Sequence, residues 1–177
     1  MAESYLGAIY KNWRIDARYN EFERFNDCFK LTTNHHRDTG GSDVYYCDNY
    51  AYPQTVDPEN HFVEFVKQAV SPLPLTNIQF AKSWWIDYPQ HSYAGAHAHQ
   101  PGRQFTVIVF LTSTQKYVES PHHGHLYTLH SKDDKMLYND YPTIAGNVHI
   151  LDGTIWHGTY PTLDNRKVFV CDFTYDI

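Results

Sequence analysis

Phe105-Thr106-Val107-Ile108-Val109-Phe110-Leu111 is apolar at almost every position, so any strand it forms has no polar face. Alternate residues of a strand point to opposite sides, and a run without polar alternation belongs to a strand covered on both. Val168 to Phe173 reads the same way. Around these two runs, from Ile78 onward, short strand-like segments separated by turn residues dominate, the pattern of an antiparallel sandwich or jelly roll. One side of each buried strand would line the interior of a barrel. The other side carries Phe169, Cys171 and Phe173 and must be covered, because such a face is not left in water.

The residues that would cover it lie earlier in the chain. Ile15, Tyr19, Phe22, Phe25 and Phe29 recur at a spacing of three to four, which predicts an amphipathic helix over 15–29. Asp57-Pro58-Glu59 opens a second: Asp57 can cap it, Pro58 suits its first turn, and Phe62, Phe65, Val66 and Ala69 form a stripe that ends before Ser71-Pro72-Leu73-Pro74. Between the helices, Thr39-Gly40-Gly41-Ser42 reads as a flexible loop and Val44-Tyr45-Tyr46 as a short strand. The expected fold is mainly β with flanking N-terminal helices, a double-stranded β-helix or jelly roll. At 177 residues the chain suits a single domain over 1–177.

Composition narrows the function. A hydrophobic share of 42% with 15 tyrosines argues against disorder and for a strand-rich fold. The formal charge of −6, with 14 basic residues scattered among 20 acidic ones, argues against nucleic-acid binding, which needs clustered cations. Cys28, Cys47 and Cys171 make an odd count, and residues 1–11 show no charged-then-apolar leader, so the expected compartment is a reducing cytoplasm. No apolar run approaches the roughly 20 residues needed to cross a bilayer. The expected partner is a small-molecule or protein substrate.

The residues with chemistry to offer are histidines. His97 and His99, read as a strand-borne His-x-His, would present both imidazoles on one face, and His157 would add a third nitrogen from a distant strand. Three converging neutral imidazoles are hard to explain as packing, since each buried ring needs a hydrogen-bond partner or a metal. Arg166, Val168 and Val170 share one face of their strand, so an inward arginine would sit beside inward valines and call for an anionic partner. The plainer alternative is a rim histidine and a surface arginine paired with Asp164 or Asp172. His122-His123-Gly124-His125 looks metal-binding but lies in a Pro- and Ser-flanked loop and reads as exposed. The Trp84-Trp85 pair reads as core or barrel-wall packing.

Tyr88-Pro89-Gln90-His91-Ser92-Tyr93-Ala94-Gly95-Ala96-His97-Ala98-His99-Gln100-Pro101 precedes the buried strand, Gly124-His125-Leu126 supplies a Gly-containing turn, and Pro142-Thr143-Ile144-Ala145-Gly146-Asn147-Val148-His149-Ile150-Leu151 is followed by His157 and, nine positions later, Arg166. In this order and spacing the chain, from about Ser83 to Phe173, resembles the Fe(II)/2-oxoglutarate dioxygenase superfamily, particularly its prolyl-hydroxylase-like branch. The resemblance implies a jelly-roll hydroxylase that holds Fe(II) at His97, His99 and His157. It implies 2-oxoglutarate as co-substrate, with Arg166 on the far carboxylate and Tyr88 as a further hydrogen bond to it. The chain departs from the pattern at His99, where the family carries Asp or Glu, and a three-histidine site is one negative charge short. Asp87 or Asp152 could complete it from outside the motif. Two other readings stand beside this one. A cupin-like three-histidine dioxygenase would use no 2-oxo acid, although Gln104 stands where cupins carry Glu and Asp152-Gly153 precedes His157. A non-catalytic jelly-roll binding module would bind no metal.

Overall fold

In chain order the elements are β1 (Trp13–Arg14), β2 (Asn34–Arg37), β3 (Asp43–Tyr46), α1 (His61–Val70), β4 (Thr76–Tyr88), β5 (Gln104–Phe110), β6 (Leu126–Lys132), β7 (Lys135–Tyr141), β8 (Asn147–Asp152), β9 (Trp156–Thr159) and β10 (Arg166–Asp176). The structure is a computed structural model that describes residues 13–14, 34–37, 40–46, 61–99, 103–132 and 135–176. The helix expected over 15–29 and the capping residues Asp57 and Pro58 lie outside the described residues.

The two apolar runs become neighbours. β10 lies between β5 and β4, antiparallel to both, in a seven-stranded sheet of order β1-β8-β5-β10-β4-β3-β2. Parity then sorts side chains onto two faces. Trp85, Phe105, Val107, Val109, Phe169, Cys171 and Phe173 occupy one face, where Val66, Ala69 and Val70 of α1 pack on them. This is the covering role expected of the second helix. Its end follows from Pro72, which disfavours helical geometry at Ser71; Ser71 turns its hydroxyl back to the Gln68 carbonyl at 2.8 Å. Trp84, Tyr88, Ile108, Phe110, Val168 and Val170 line the opposite face with Leu126 and Leu151. Adjacent Trp84 and Trp85 are thus divided between interior and outer core.

A second sheet of three strands, β7-β6-β9, stands apart from the first. Here the expectation of a closed barrel is corrected: among the described residues the two sheets do not join into one continuous barrel. The expected strand-borne His-x-His is corrected with it. The chain through His97 and His99 is irregular, and it touches β9 through a single antiparallel bridge, His97 to His157. Val44 does lie on the short strand expected of it, β3, which pairs with the inner end of β4.

Candidate metal centre

β9 carries His157, and what fastens His97 to it is backbone. The His97 N–H donates to the His157 carbonyl at 2.9 Å and the His157 N–H to the His97 carbonyl at 2.8 Å. Further along, the Thr159 N–H donates to the Ala94 carbonyl at 3.0 Å, and the Ala94 N–H to the Thr159 hydroxyl at 2.8 Å. Gly158 permits this close approach: a Cβ there would stand 2.8 Å from the Ala94 carbonyl oxygen and 2.5 Å from the Tyr127 hydroxyl. Two residues beyond His97, His99 turns inward to stack on Trp84, with centroids 5.5 Å apart.

The three rings converge. Centroid separations are 4.5 Å for His97–His157, 5.1 Å for His99–His157 and 5.5 Å for His97–His99, and one ligand nitrogen from each lies within 4.8 Å of the other two. Their hydrogen bonds decide which nitrogen that is. Nδ1 of His97 faces the Gly95 carbonyl at 2.8 Å and Nδ1 of His157 the Ile155 carbonyl at 3.0 Å. A carbonyl can only accept, so each Nδ1 carries the proton and Nε2 keeps the lone pair. Burial, reinforced by the neighbouring His97, lowers the pKa of His157 to about 3, so this ring is neutral at physiological pH. An uncharged imidazole with a free lone pair is the form that binds a metal.

His99 differs from the other two. Its Nδ1 lies 3.0 and 3.2 Å from the two oxygens of Asp172, and 3.0 Å from the Thr106 hydroxyl oxygen. Thr106 donates its own proton to Asp172 Oδ1 at 2.6 Å, so every group around this Nδ1 accepts. Lys82, half exposed, reaches Asp172 Oδ2 at 3.3 Å. Burial pushes the Asp172 carboxyl up, but His99, Thr106 and Lys82 outweigh it and hold it below the ordinary carboxylate range. Asp172 is fully buried.

Arg166 opens the same strand and is also fully buried. One Nη1 donates to the Gly124 carbonyl and lies 3.3 Å from the Thr143 hydroxyl, while the Tyr88 ring lies under the guanidinium at 3.9 Å from Cζ. Gly124 can offer that carbonyl because it takes φ +66°, a conformation costly for other residues. Nε and Nη2 meet no acceptor in hydrogen-bonding geometry among the described residues. Burial lowers the guanidinium pKa, and the Tyr88 phenol opposes that shift. Arg166, Tyr88, Val168, Val170, Trp84 and the three histidines all line one cavity. A half-satisfied cation at one end and three lone pairs at the other make a cleft suited to a metal-chelating dianion.

The structure therefore brings together His97, His99, His157, Arg166 and Tyr88. It turns Arg166 inward, away from Asp164, which accepts instead from Gln115 N–H and Tyr117. It keeps Asp87 and Asp152 away from the histidine group. Asp152 accepts from Thr154 N–H at 2.7 Å, and Asp87 stands opposite Lys167 in the sheet. In the His122–His125 loop only His122 is exposed. His122 and His125 direct Nδ1 to different oxygens of Asp140, forming a second group of possible ligands, while His123 is buried against the Gln115 carbonyl. Asp172 entered the sequence reading only as a possible surface partner of Arg166, and Thr106 and Thr143 went unmarked. Parity held the signal for the first: two steps beyond Val170 on the face of Arg166 lies Asp172.

No family model and no curated protein matches the sequence. The fold, however, is that of the Fe(II)/2-oxoglutarate oxygenases of prolyl-hydroxylase type. A prolyl-4-hydroxylase from Pseudomonas putida matches with a TM-score of 0.64 at 14% identity, covering 100% of each chain. A 2OG-Fe(II) oxygenase family oxidoreductase from Burkholderia pseudomallei matches at 0.63 with 12% identity, over 87% of this chain and 77% of that one. HygX from Streptomyces hygroscopicus, solved with nickel, 2-oxoglutarate and hygromycin B bound, matches at 0.62 with 14% identity, over 87% and 78%.

Proposed function

We propose that this chain is an Fe(II)- and 2-oxoglutarate-dependent oxygenase that hydroxylates a C–H bond of a small molecule or a protein side chain. The observation that carries the reading is the shared cavity: three imidazole lone pairs at one end and, at the other, a buried guanidinium with two nitrogens awaiting an acceptor. The donor set fits ferrous ion, which takes imidazole ligands on one face and leaves other positions open. When bound, that ion supplies the oxidising chemistry, in which dioxygen and 2-oxoglutarate give succinate, carbon dioxide and a hydroxylated product. His97, His99 and His157 hold the metal through Nε2, each ring fixed by its own Nδ1 contact. Arg166 receives the far carboxylate with Nε and Nη2, and Tyr88 keeps the guanidinium plane in place from below. Val168, Val170 and Trp84 exclude water between the two ends, which strengthens the charge pairing.

The test uses anaerobically purified full-length protein given Fe(II), 2-oxoglutarate and then oxygen. Wild type is expected to bind one ferrous ion at this site and to form succinate. His157→Ala should lose that ion, and Arg166→Ala should keep it while losing succinate formation. Iron bound at the histidines without any turnover of 2-oxoglutarate would shift the assignment to a three-histidine dioxygenase, and metal content unchanged by His157→Ala would overturn the site.

A further inference from the structure

We propose that Asp172 is the carboxylate of this metal centre, displaced one step outward: through Nδ1 of His99 it lends the tripod the negative charge that a directly bound Asp or Glu lends in a His-x-Asp site. The inference rests on the metal assignment made above and concerns what makes that site complete.

Charge counting shows the need. Three neutral imidazoles leave a divalent ion with its full charge of two, one more than a site with two histidines and a carboxylate. His99 stands at the motif position where the carboxylate would be, and of the three ligand rings it alone backs onto a carboxylate; the other two back onto carbonyls. The missing charge is therefore present, one ring further from the metal.

Burial and partners argue against a purely structural aspartate. A fully buried carboxylate inside an apolar strand is expensive unless it is paired and hydrogen-bonded. Among the described residues its one ammonium or guanidinium partner is Lys82, half exposed and joined by one contact at 3.3 Å. The His99 ring by contrast sits between both oxygens, and Thr106 adds a short donation to one of them. These partners fix the ring: with Nδ1–H committed to Asp172, Nε2 faces the cavity as a lone pair. A metal-bound imidazole that gives its other N–H to a carboxylate is a stronger donor, and loss of such a partner lowers metal affinity by about 10–100-fold. Asp172 is thus a positioning residue. It touches the ligand, not the metal.

The experiment compares Co(II) and Fe(II) dissociation constants, and the Fe(III)/Fe(II) potential, in the full chain. Asp172→Asn keeps an acceptor oxygen and the shape while removing the charge; it is expected to weaken both metals by about 10–100-fold and to raise the potential. Lys82→Ala cuts the carboxylate's other, half-exposed ion pair without removing the carboxylate charge, and should shift both readings far less than Asp172→Asn, the potential in the opposite direction. The double variant His99→Asp with Asp172→Asn returns a carboxylate to the motif position and should recover most of the lost affinity. Wild-type binding with unchanged affinity and potential in Asp172→Asn would overturn this inference alone, whereas a wild type that takes up neither metal would overturn it together with the metal assignment. If Asp172→Asn does not fold, imidazole ¹⁵N–¹H spectra of Zn(II)-loaded wild type decide. The Nδ1 proton of His99 should lie downfield of those of His97 and His157, and three equivalent signals would refute the proposal.

Discussion

Arg166 is out of balance with its surroundings. A buried guanidinium that leaves two nitrogens without acceptors carries a desolvation cost that the Gly124 carbonyl and the Tyr88 ring offset only in part. Two opposite effects are expected from replacing it. Arg166→Met should stabilise the ligand-free protein by about 1–4 kcal/mol, seen as a higher melting temperature, because the unpaired charge is gone. Arg166→Lys should keep the charge but lose the planar fork, raising the 2-oxoglutarate dissociation constant at least ~10-fold with Fe(II) affinity unchanged, as titration calorimetry would show. A third residue tests the ligand geometry from outside. Gly158→Ala drives a Cβ against the Ala94 carbonyl, a backbone atom that cannot swing aside. The 94–99 segment should lift from β9 and metal affinity should fall, while far-ultraviolet circular dichroism stays that of the wild type.

At the scale of elements, β10 links fold to site because its two faces do different work. Phe169 faces α1 and the outer core, its ring 4.7 Å from that of Trp85 and tilted by 40°, so Phe169→Ala should cost about 3–5 kcal/mol in denaturant unfolding. This division was legible in the sequence. Continuous apolar runs marked β5 and β10 as strands covered on both sides, and the stripe through Val66 and Ala69 marked the helix that covers them. His97, His99 and His157 were legible as well, through order and spacing. Three things were not. The path from Ala94 to His99 is governed by hydrogen bonds to β9, more than fifty residues away, and no local pattern records them. The opening between the sheets depends on how few pairs β9 makes, which periodicity does not count. The role of Asp172 was missed: a carboxylate in an apolar run reads as turned to water, so it was weighed only as a surface partner of Arg166, and its partner His99 lies 73 positions earlier.

For the whole molecule, acid is the natural stress. His149, buried between the rings of Phe110 and Tyr141, has its pKa lowered by burial to about 4 from 6.5. Below pH 6.5 the unfolded chain takes up a proton that the folded one refuses until about pH 4, so stability is full above 6.5 and falls as the pH drops through that window. His149→Phe should remove one proton's worth of this slope in unfolding curves measured between those limits. No helix among the described residues is long and apolar enough to cross a membrane.

The placement of Arg166 and Asp172 on one face of one strand makes β10 a gauge. Six residues at about 3.3–3.4 Å each set their backbones about 20 Å apart, and a hydrogen-bonded strand neither stretches nor slips without breaking its pairing on both sides. On the function proposed above, the span between Arg166 and the metal site is therefore set by the sheet. Exchange of loops elsewhere in the chain would then leave the accepted length of co-substrate unchanged. 2-Oxo diacids one carbon shorter or longer than 2-oxoglutarate should compete poorly in every such chimera.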